Sequence, residues 1–438
     1  MKALGTKAGG GLAVNWRSIE WWGAGMALFL QTGAVFPLLA AHADGSLDDA
    51  AKARLRLLSI PVYVFAGLIL SRHFQQFLVA LRRNLQLVLL LALPFASVLW
   101  SVSPSMTLRR AVGLLFTLLL AYMLAIRFTP RQLLLLAMAT FGSCIMLSLA
   151  LLAVSPGLAR MPTDGMARGI FIHKNSLGWY ASIVIVTAAV VVMDGSPELR
   201  RLRRIAFVLL AAGVTCLVGS GSMTAVIATA AAGGLFWFYS TLPRSRGIGR
   251  AVFVILFVEA AVLLLISLQE FLVPVLEALG KDATLTGRVP LWRLVDKEIV
   301  RHLLLGFGYQ AFWTEANPQA WAIWSKIGWQ APHAHNGFRD ILLNFGIGGT
   351  GLFVLIFLRA LYQGARLQCR ATSDGWLWLN VFVVMVLVMN LTESIFLMQN
   401  DAIFTLFTAA VVMFSLYTPA YETTALEGMP KRRAVAAG

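Results

Sequence analysis

TLTGR (284–288) and HAHNGFRDILLNFGIGG (333–349) mark the two ends of one polar stretch of this chain. Long apolar runs flank the stretch on both sides, and two of the six histidines of the chain lie in its last part. Arg288 stands at its head. We therefore expect the apolar runs to form a membrane scaffold that holds these polar groups at one membrane surface.

The composition sets the class of protein. Hydrophobic residues make up 59% of the 438-residue chain and charged residues only 13%, whereas about a quarter of the residues of a soluble domain are charged. The first long apolar run, 21–41, has the length of a membrane span and no small-residue cleavage site, so we expect no cleaved signal peptide. In a soluble protein the net charge of +16 would suggest binding to nucleic acid. Membrane proteins, however, collect Lys and Arg in their cytoplasmic loops, and no nucleic-acid motif is present here.

The hydropathy pattern predicts an all-α, polytopic integral membrane protein with about 12 transmembrane helices and a large periplasmic loop. We expect spans one to nine within residues 1–270, a loop with an amphipathic helix at 271–340, spans ten to twelve at 341–418 and a tail at 419–438. The apolar runs cover residues 21–41, 57–70, 85–100, 111–126, 132–154, 177–193, 205–218, 223–241, 251–268, 341–361, 376–391 and 402–417.

The distribution of positive charge orients these spans. More than half of the 36 Lys and Arg residues fall on one side if the N-terminus is cytoplasmic, which predicts cytoplasmic termini and a long outer loop. In a bacterium that loop faces the periplasm, where ATP and nucleotide sugars are absent. We therefore expect a substrate that is already activated and carried by a lipid.

Several cations of the outer face lie beside the ends of predicted spans. Cations next to the free amide groups of a helix N-terminus form a strong anion site, so these residues predict a diphosphate-binding site. Contact with ordinary lipid headgroups is the alternative. The group comprises Arg109 and Arg110 at the fourth span, Arg168, His173, Lys174 and Asn175 at the sixth span, and Arg288 in the long loop.

The long loop contains an amphipathic helix after a predicted cap at Thr286. We expect this helix to lie on the membrane surface or over the mouth of a cavity, and the alternative is that it covers the ends of the spans. Four tryptophans that follow are expected at the level of the lipid headgroups, with stacking on a sugar ring as the alternative. They are Trp313, Trp321, Trp324 and Trp329. The apolar residues that recur at spacings of three and four are Val289, Trp292, Val295, Ile299 and Leu303.

The His335-Asn336 pair is the candidate reaction centre. A neutral imidazole can take a proton from a sugar hydroxyl at ordinary pH, and Asn336 could orient the ring or the acceptor. A helix-capping role for His335 is the structural alternative. Glu393, in the loop NLTES (390–394), is a candidate for holding an arginine or contacting sugar.

The glycines nearby have structural interpretations. Gly346, Gly348, Gly349 and Gly351 favour close helix packing. The pair Gly306 and Gly308 predicts a turn.

These motifs together resemble a known family. The TGR and Trp292 segment, the GFG turn (306–308) and the HAHNGF run that ends in GIGG are similar to the signature region of the bacterial O-antigen ligase and polymerase superfamily. The sequence RGIFIHKNSLG (168–178) resembles a motif of its exopolysaccharide-polymerase, succinoglycan-type branch. The resemblance covers most of the chain, and the spacing from His-Asn to Gly-x-x-Gly is its most specific part.

The resemblance implies a GT-C-like glycosyltransferase of the inner membrane that needs no metal or other cofactor. Its donor would be an undecaprenyl-diphosphate-linked oligosaccharide, and its acceptor a saccharide or lipid A-core. Chain-length regulators or export proteins are the implied protein partners. Arg288 and His335 fall on the positions that are functional in such families, and the choice between ligase and polymerase stays open.

We expect an inverting transfer at the periplasmic face. His335 would deprotonate or orient the acceptor hydroxyl, while Arg168 and Arg288, helped by Lys174 and Arg109 or Arg110, would stabilise the departing diphosphate. The remaining candidates for substrate contact are His173, Asn175, Asn336, His333, Trp292 and Glu393.

Two other interpretations compete with this one. A zinc site at His333, His335 and His173 is not favoured, because no cysteine or HExxH partner set lies nearby. A transporter or flippase for the same lipid-linked sugar would use ionisable groups deep in the membrane. For that alternative the chain offers chiefly Glu259, in the ninth predicted span.

Overall fold

The computed structural model describes residues 16–40, 48–278 and 288–427. Within these ranges the chain forms helices and turns, and the sole β-type pairing is an isolated bridge between Arg160 and Ala167. The α-helices, in chain order, are α1 Trp16–Gln31, α2 Phe36–Ala40, α3 Asp49–Leu57, α4 Ser59–Arg72, α5 Phe74–Arg83, α6 Leu85–Ala96, α7 Pro104–Arg127, α8 Pro130–Val154, α9 Pro156–Ala159, α10 Lys174–Met193, α11 Arg200–Ser220, α12 Met223–Thr241, α13 Gly247–Ala278, α14 Arg288–Arg301, α15 Pro318–Ile327, α16 Gly337–Arg370, α17 Trp376–Met389 and α18 Ala402–Glu427.

Many of these helices are long and apolar enough to cross a membrane. Among the described residues seven helices meet that test, and an eighth span results if α5 and α6, which meet at 88°, are taken as one bent pair. The prediction of an all-helical, multi-pass membrane protein is therefore confirmed, while the number of twelve spans stays a prediction. The helices that qualify are Ala53–Arg72, Pro104–Arg127, Pro130–Val154, Lys174–Met193, Arg200–Ser220, Met223–Arg244 and Gly337–Arg370.

Every predicted span coincides with a helix, but some boundaries differ. The first is interrupted after Gln31, where Gly33 and Val35 have φ angles of 66° and 63° that a helix cannot contain. The predicted start of the long loop at residue 271 falls inside α13. The tenth span begins at Gly337 because Asn336 caps it. The predicted cap Thr286 lies outside the described residues.

The helices with the most buried surfaces lie at the centre of the bundle. Helix α7 packs against α18, and α8 packs against α10. Helix α17 contacts α8, α10 and α18 and is buried along nearly its whole length, including Trp376 and Trp378. Polar side chains there bond backbone carbonyls, as Trp378 Nε1 does with Pro130 O at 2.8 Å. This packing brings the N-termini of α10 and α16 to the same end of the bundle as the loop between α17 and α18.

A second, smaller core lies beneath α14 and α15. Leu291, Val295 and Ile299 of α14 are buried in it together with Trp324 of α15. A helix is present as predicted, but it ends at Arg301, before the predicted Leu303, which is exposed. Its buried stripe contains Leu291 instead of Val289 and Trp292, because α14 packs against α15 and the start of α16. The arrangement therefore corresponds to the alternative in which this helix covers the end of a span.

Candidate functional site

Glu393, in the loop between α17 and α18, lies at the centre of a polar cluster. One carboxylate oxygen accepts a hydrogen bond from Arg288 Nη2 at 2.7 Å and another from Asn175 Nδ2 at 3.1 Å. The second oxygen lies 3.6 Å from His335 Nδ1. The Glu393 side chain is only 2% exposed, whereas Arg288 and His335 are each partly exposed. The buried Glu393 carboxylate thus lies beneath Arg288 and His335, and both of these side chains remain accessible to a ligand. We call Arg288, His335, Glu393 and Asn175 the Glu393 cluster.

The electrostatics of the cluster follow from this burial. Burial by itself would raise the pKa of Glu393, but the His335 contact and the charge of Arg288 outweigh it and hold that pKa below its usual value. Glu393 is therefore a carboxylate at neutral pH. A distance of 3.6 Å is too long for a hydrogen bond, and His335 Nδ1 has no other hydrogen-bond partner among the described residues. The position of the imidazole is therefore set mainly by its backbone.

The backbone of His335 is pinned on both sides. His335 has a φ angle of 51°, a left-handed conformation that side chains other than glycine seldom adopt. Ala334 N donates to both oxygens of Asp340 at 3.1 Å, and Asn336 N donates to Ser394 Oγ at 3.1 Å. Ser394 Oγ in turn donates to Asp340. The network fixes the strained histidine beside the loop that carries Glu393.

Asp340 also accepts a hydrogen bond from Trp313 Nε1 at 3.1 Å, so both of its oxygens are engaged. Sequence reasoning missed this residue. The available signal was a carboxylate in the first turn of an apolar span, because ionisable groups within spans are costly and are usually paired.

Asn336 and Trp292, two candidates for substrate contact, are engaged in holding the chain. Asn336 caps α16 by accepting from Arg339 N at 3.0 Å, and its amide donates to Leu391 O at 2.8 Å. Trp292 Nε1 donates to Ala334 O at 2.9 Å, and its ring lies 4.8 Å from the Arg339 guanidinium. Both side chains therefore support the His335 segment from α14 and from the α17–α18 loop.

His333 lies directly beside His335. Their ring centroids are 4.1 Å apart, and His333 Nδ1 accepts a hydrogen bond from His335 N at 3.1 Å. Burial, together with the neighbouring His335, lowers the pKa of His333 to about 3. His333 is thus a neutral ring at working pH, and its Nδ1 contact leaves the proton on Nε2.

The predicted cations of the sixth span are partly gathered around the Glu393 cluster. His173 caps α10 by accepting from Asn175 N at 3.1 Å, and Asn175 itself belongs to the cluster. Lys174 pairs with Asp164, and although burial opposes the change, this partner lowers the pKa of the Asp164 carboxyl. Burial lowers the pKa of His173. Arg168 is buried, and its Nε donates to Leu158 O at 3.0 Å.

Arg109 and Arg110 lie in the second turn of α7, since this helix begins at Pro104 and not at the arginines. Arg110 donates to Gln310 O in the segment between α14 and α15, and Arg109 is exposed. Arg110 is therefore associated with the Gln310 segment.

Glu259, the residue on which the transport alternative depends, is exposed on α13. Across the three described ranges, no group of three or more His, Cys, Asp and Glu side chains has the arrangement of a metal site.

Comparison with known proteins finds a family similar to part of this chain. Residues 205–354 match the family described as O-antigen ligase. The matched segment spans 150 of the 438 residues. It contains Arg288, Trp292, His333, His335 and Asn336, while Glu393 and the α10 group lie outside it.

A curated relative points in the same direction. The chain is similar to the exopolysaccharide production protein ExoQ of Rhizobium meliloti (strain 1021), with 32% identity over 277 residues. The match covers 61% of this chain and 62% of the relative, so it extends over less than two thirds of that protein's length. The resemblance drawn from the sequence is confirmed.

Proposed function

We propose that this protein is an inner-membrane glycosyltransferase that extends or transfers undecaprenyl-diphosphate-linked saccharides at the periplasmic face. The observation that carries the proposal is the Glu393 cluster, in which one buried carboxylate holds an arginine and faces a histidine. The match of residues 205–354 to the O-antigen ligase family supports the reaction class. The excess of basic residues on the opposite side of the membrane supports the orientation.

His335 acts as the general base in this proposal. With Nδ1 facing Glu393 at 3.6 Å, the neutral ring carries its proton on Nδ1 and offers the Nε2 lone pair to the acceptor. The acceptor oxygen gives its proton to Nε2 as it forms a bond to the anomeric carbon. Glu393 then stabilises the imidazolium, in the way that a carboxylate supports histidine in hydrolytic triads.

Arg288 stabilises the leaving group. As the new bond forms, the bond between the anomeric carbon and the phosphate oxygen breaks, and its electron pair departs with the undecaprenyl diphosphate. The transfer thus inverts the anomeric centre. Arg288 Nη2 donates to Glu393 at 2.7 Å. The guanidinium has five N–H donors in all, so it can bind Glu393 and the departing phosphate together.

Lys174, paired with Asp164 near the start of α10, adds a second positive charge that could meet the diphosphate. Arg168 serves a different purpose in this proposal, because its buried guanidinium bonds the backbone and supports the loop before α10. Fixed cations of this kind can stabilise developing phosphate charge without a metal ion. We therefore propose a metal-independent reaction.

We propose polymerisation as the primary activity, because the similar ExoQ protein is described by exopolysaccharide production. Transfer to lipid A-core is the second candidate, because the family that matches residues 205–354 is described as O-antigen ligase. The acceptor distinguishes the two activities.

Reconstitution in liposomes tests the proposal. Purified protein is supplied with an undecaprenyl-diphosphate oligosaccharide, with and without lipid A-core, and the glycans are separated by size. Longer glycans without the second lipid indicate a polymerase, and products only in its presence indicate a ligase. His335→Ala should lower either rate by roughly 10²- to 10⁴-fold, the usual contribution of acid–base catalysis.

The same liposomes address transport. Glu259→Gln should leave transfer near the wild-type rate, because this residue is exposed on α13. Flipping of the labelled lipid that requires Glu259 but not His335, with no glycan product in any reaction, would overturn the glycosyltransferase proposal.

A further inference from the structure

Helix α16 is broken inside its apolar part. Gly346 has φ 62° and ψ −159°, which no helix contains, so the regular hydrogen bonds around it are lost. Three backbone groups near the break pair instead with the segment after α14. Phe307 N donates to Leu343 O at 2.7 Å, Gly308 N to Asn344 O at 3.2 Å, and Ile347 N to Leu303 O at 2.7 Å. Residues 303–308, which we call the elbow, therefore supply hydrogen bonds to the backbone groups that the break leaves open in α16.

The close approach of the two backbones requires glycine on each side. A Cβ at Gly346 would lie 2.4 Å from Leu303 O and from Leu304, and a Cβ at Gly306 would lie 2.5 Å from Leu343 O. Both residues also have positive φ angles. Trp100 Nε1, just beyond the end of α6, adds a hydrogen bond to Leu305 O at 3.0 Å. The elbow is thus built into the bundle and does not lie loosely above it.

The break lies at membrane depth. The apolar part of α16 begins near Ile341 and ends before Arg359, a length of about 27 Å at 1.5 Å per residue, close to the thickness of the hydrocarbon core. Gly346 lies roughly 8 Å inside this stretch. Since Leu303 bonds to the residue that follows Gly346, the elbow reaches the same depth.

The elbow presents leucines outward at that depth. Leu304 is 74% exposed, and Leu303, Leu305 and the preceding Val300 are exposed as well. Two exposed apolar residues of the spans lie beside this patch. Ile347 on α16 donates its N–H to Leu303 O, and Leu99 precedes Trp100, which donates to Leu305 O. Four adjacent apolar side chains in water would lose much of the free energy that burial provides, about 25 cal/mol per Å². The surface of the spans beside them is the surface that lipid covers.

We propose that the elbow is a re-entrant element whose leucines insert among the acyl chains of membrane lipid. Arg301 and His302, both exposed just before the elbow, then lie at the headgroup level. The insertion anchors the C-terminal end of α14, whereas Arg288 at its other end reaches the Glu393 cluster roughly 20 Å away along the helix. This assignment is independent of the reaction proposed above.

Spin-label accessibility in liposomes tests the insertion. Of the native cysteines, Cys144 and Cys216 are buried and Cys369 is partly exposed, so the chain carries Cys369→Ser. One cysteine is introduced by Leu304→Cys, and a nitroxide is attached to it. Collisions with oxygen, which concentrates in lipid, are compared with collisions with a water-soluble nickel chelate. Leu355→Cys, on the exposed face of α16, is the lipid control, and Glu315→Cys, exposed beyond the elbow, is the water control.

The label at 304 should match the one at 355, with oxygen collisions several-fold above nickel collisions, and Val300→Cys should give an intermediate ratio. Nickel accessibility at 304 equal to that at 315 would overturn the proposal. Low accessibility to both reagents would overturn it too, because another protein surface would then cover the patch.

Discussion

At the scale of single residues, Glu393 supplies the negative charge that organises Arg288 and His335. Glu393→Gln keeps the shape of the side chain but removes that charge. We expect transfer to fall on the order of 100-fold, since acid–base catalysis contributes at least about that factor. The measurement is the initial rate in liposomes, with Glu315→Gln, an exposed position of the same type, as the control. Wild-type activity in Glu393→Gln would show that the transfer reaction does not need this carboxylate.

Asp340 is a positioning residue that acts through the backbone of His335. Asp340→Asn replaces one acceptor oxygen by an NH2 donor. The hydrogen bonds from Ala334 N, Trp313 Nε1 and Ser394 Oγ can then no longer all form. We expect kcat to fall roughly tenfold while KM stays within about twofold, because only the reacting group is displaced. Asp296→Asn, at an exposed partner of Arg339, should leave both constants unchanged. A rise in KM alone would assign Asp340 to substrate binding.

The neutral, buried His333 makes stability depend on pH. Its pKa of about 3 lies below the ordinary value of 6.5, so the unfolded chain binds this proton first. The contribution to stability is complete above about pH 6.5 and is lost as the pH falls towards 3. At pH 5 the loss is about 2 kcal/mol, at 1.36 kcal/mol per pH unit.

Thermal unfolding in detergent at pH 7.5 and pH 5 measures this effect. His333→Asn keeps an oxygen that can accept from His335 N, and it should show a smaller drop between the two pH values. An equal drop in both proteins would contradict the assignment.

At this scale the sequence predicted much of the cluster, since Arg288, His335, Glu393 and Asn175 were all candidates and lie together. It did not predict what the other candidates do. Asn336 and His173 cap helices, and Trp292 and Arg168 bond backbone carbonyls. Residue type reveals that a group can bind phosphate or sugar, but its partners depend on which backbone groups the tertiary fold leaves open.

At the scale of elements, the break in α16 gives different structural roles to Gly346 and Gly348, which look alike in sequence. Gly346→Ala would place a Cβ 2.4 Å from the elbow backbone at a positive φ angle. We expect a loss of at least about 2 kcal/mol, seen as a lower unfolding midpoint in detergent. Gly348→Ala meets open space and should be neutral or stabilising by up to about 1 kcal/mol. Equal effects of the two changes would contradict the account of the break.

Apolar length predicted the helices well, because each span must satisfy its own backbone in lipid. The break at Gly346 was not predicted, since a GIGG run fits close helix packing equally well. The buried face of α14 was also predicted wrongly, because the sequence does not show which elements pack against this helix. Leu291 could be assigned to the buried face only once α15 and α16 were known to lie against it.

At the scale of the whole molecule, helices that run back and forth through the bundle bring distant parts of the chain to one end of it. Residues 175, 288, 335 and 393 come from four separate segments. Their convergence could be predicted only as a shared membrane side, because hydropathy and charge give topology but no distances. The number of spans and the orientation are predictions that labelling of loops can address.

The central claim is that a guanidinium at position 288 grips the departing diphosphate beside the His335 imidazole. Arg288→Lys tests it most directly, because it keeps the charge and removes the two-pronged geometry. Arg301→Lys, at the exposed far end of the same helix, is the matched control. In liposomes with an undecaprenyl-diphosphate oligosaccharide, we predict at least about a tenfold lower transfer rate for Arg288→Lys and an unchanged rate for the control. A rate for Arg288→Lys equal to that of the wild type would contradict the account.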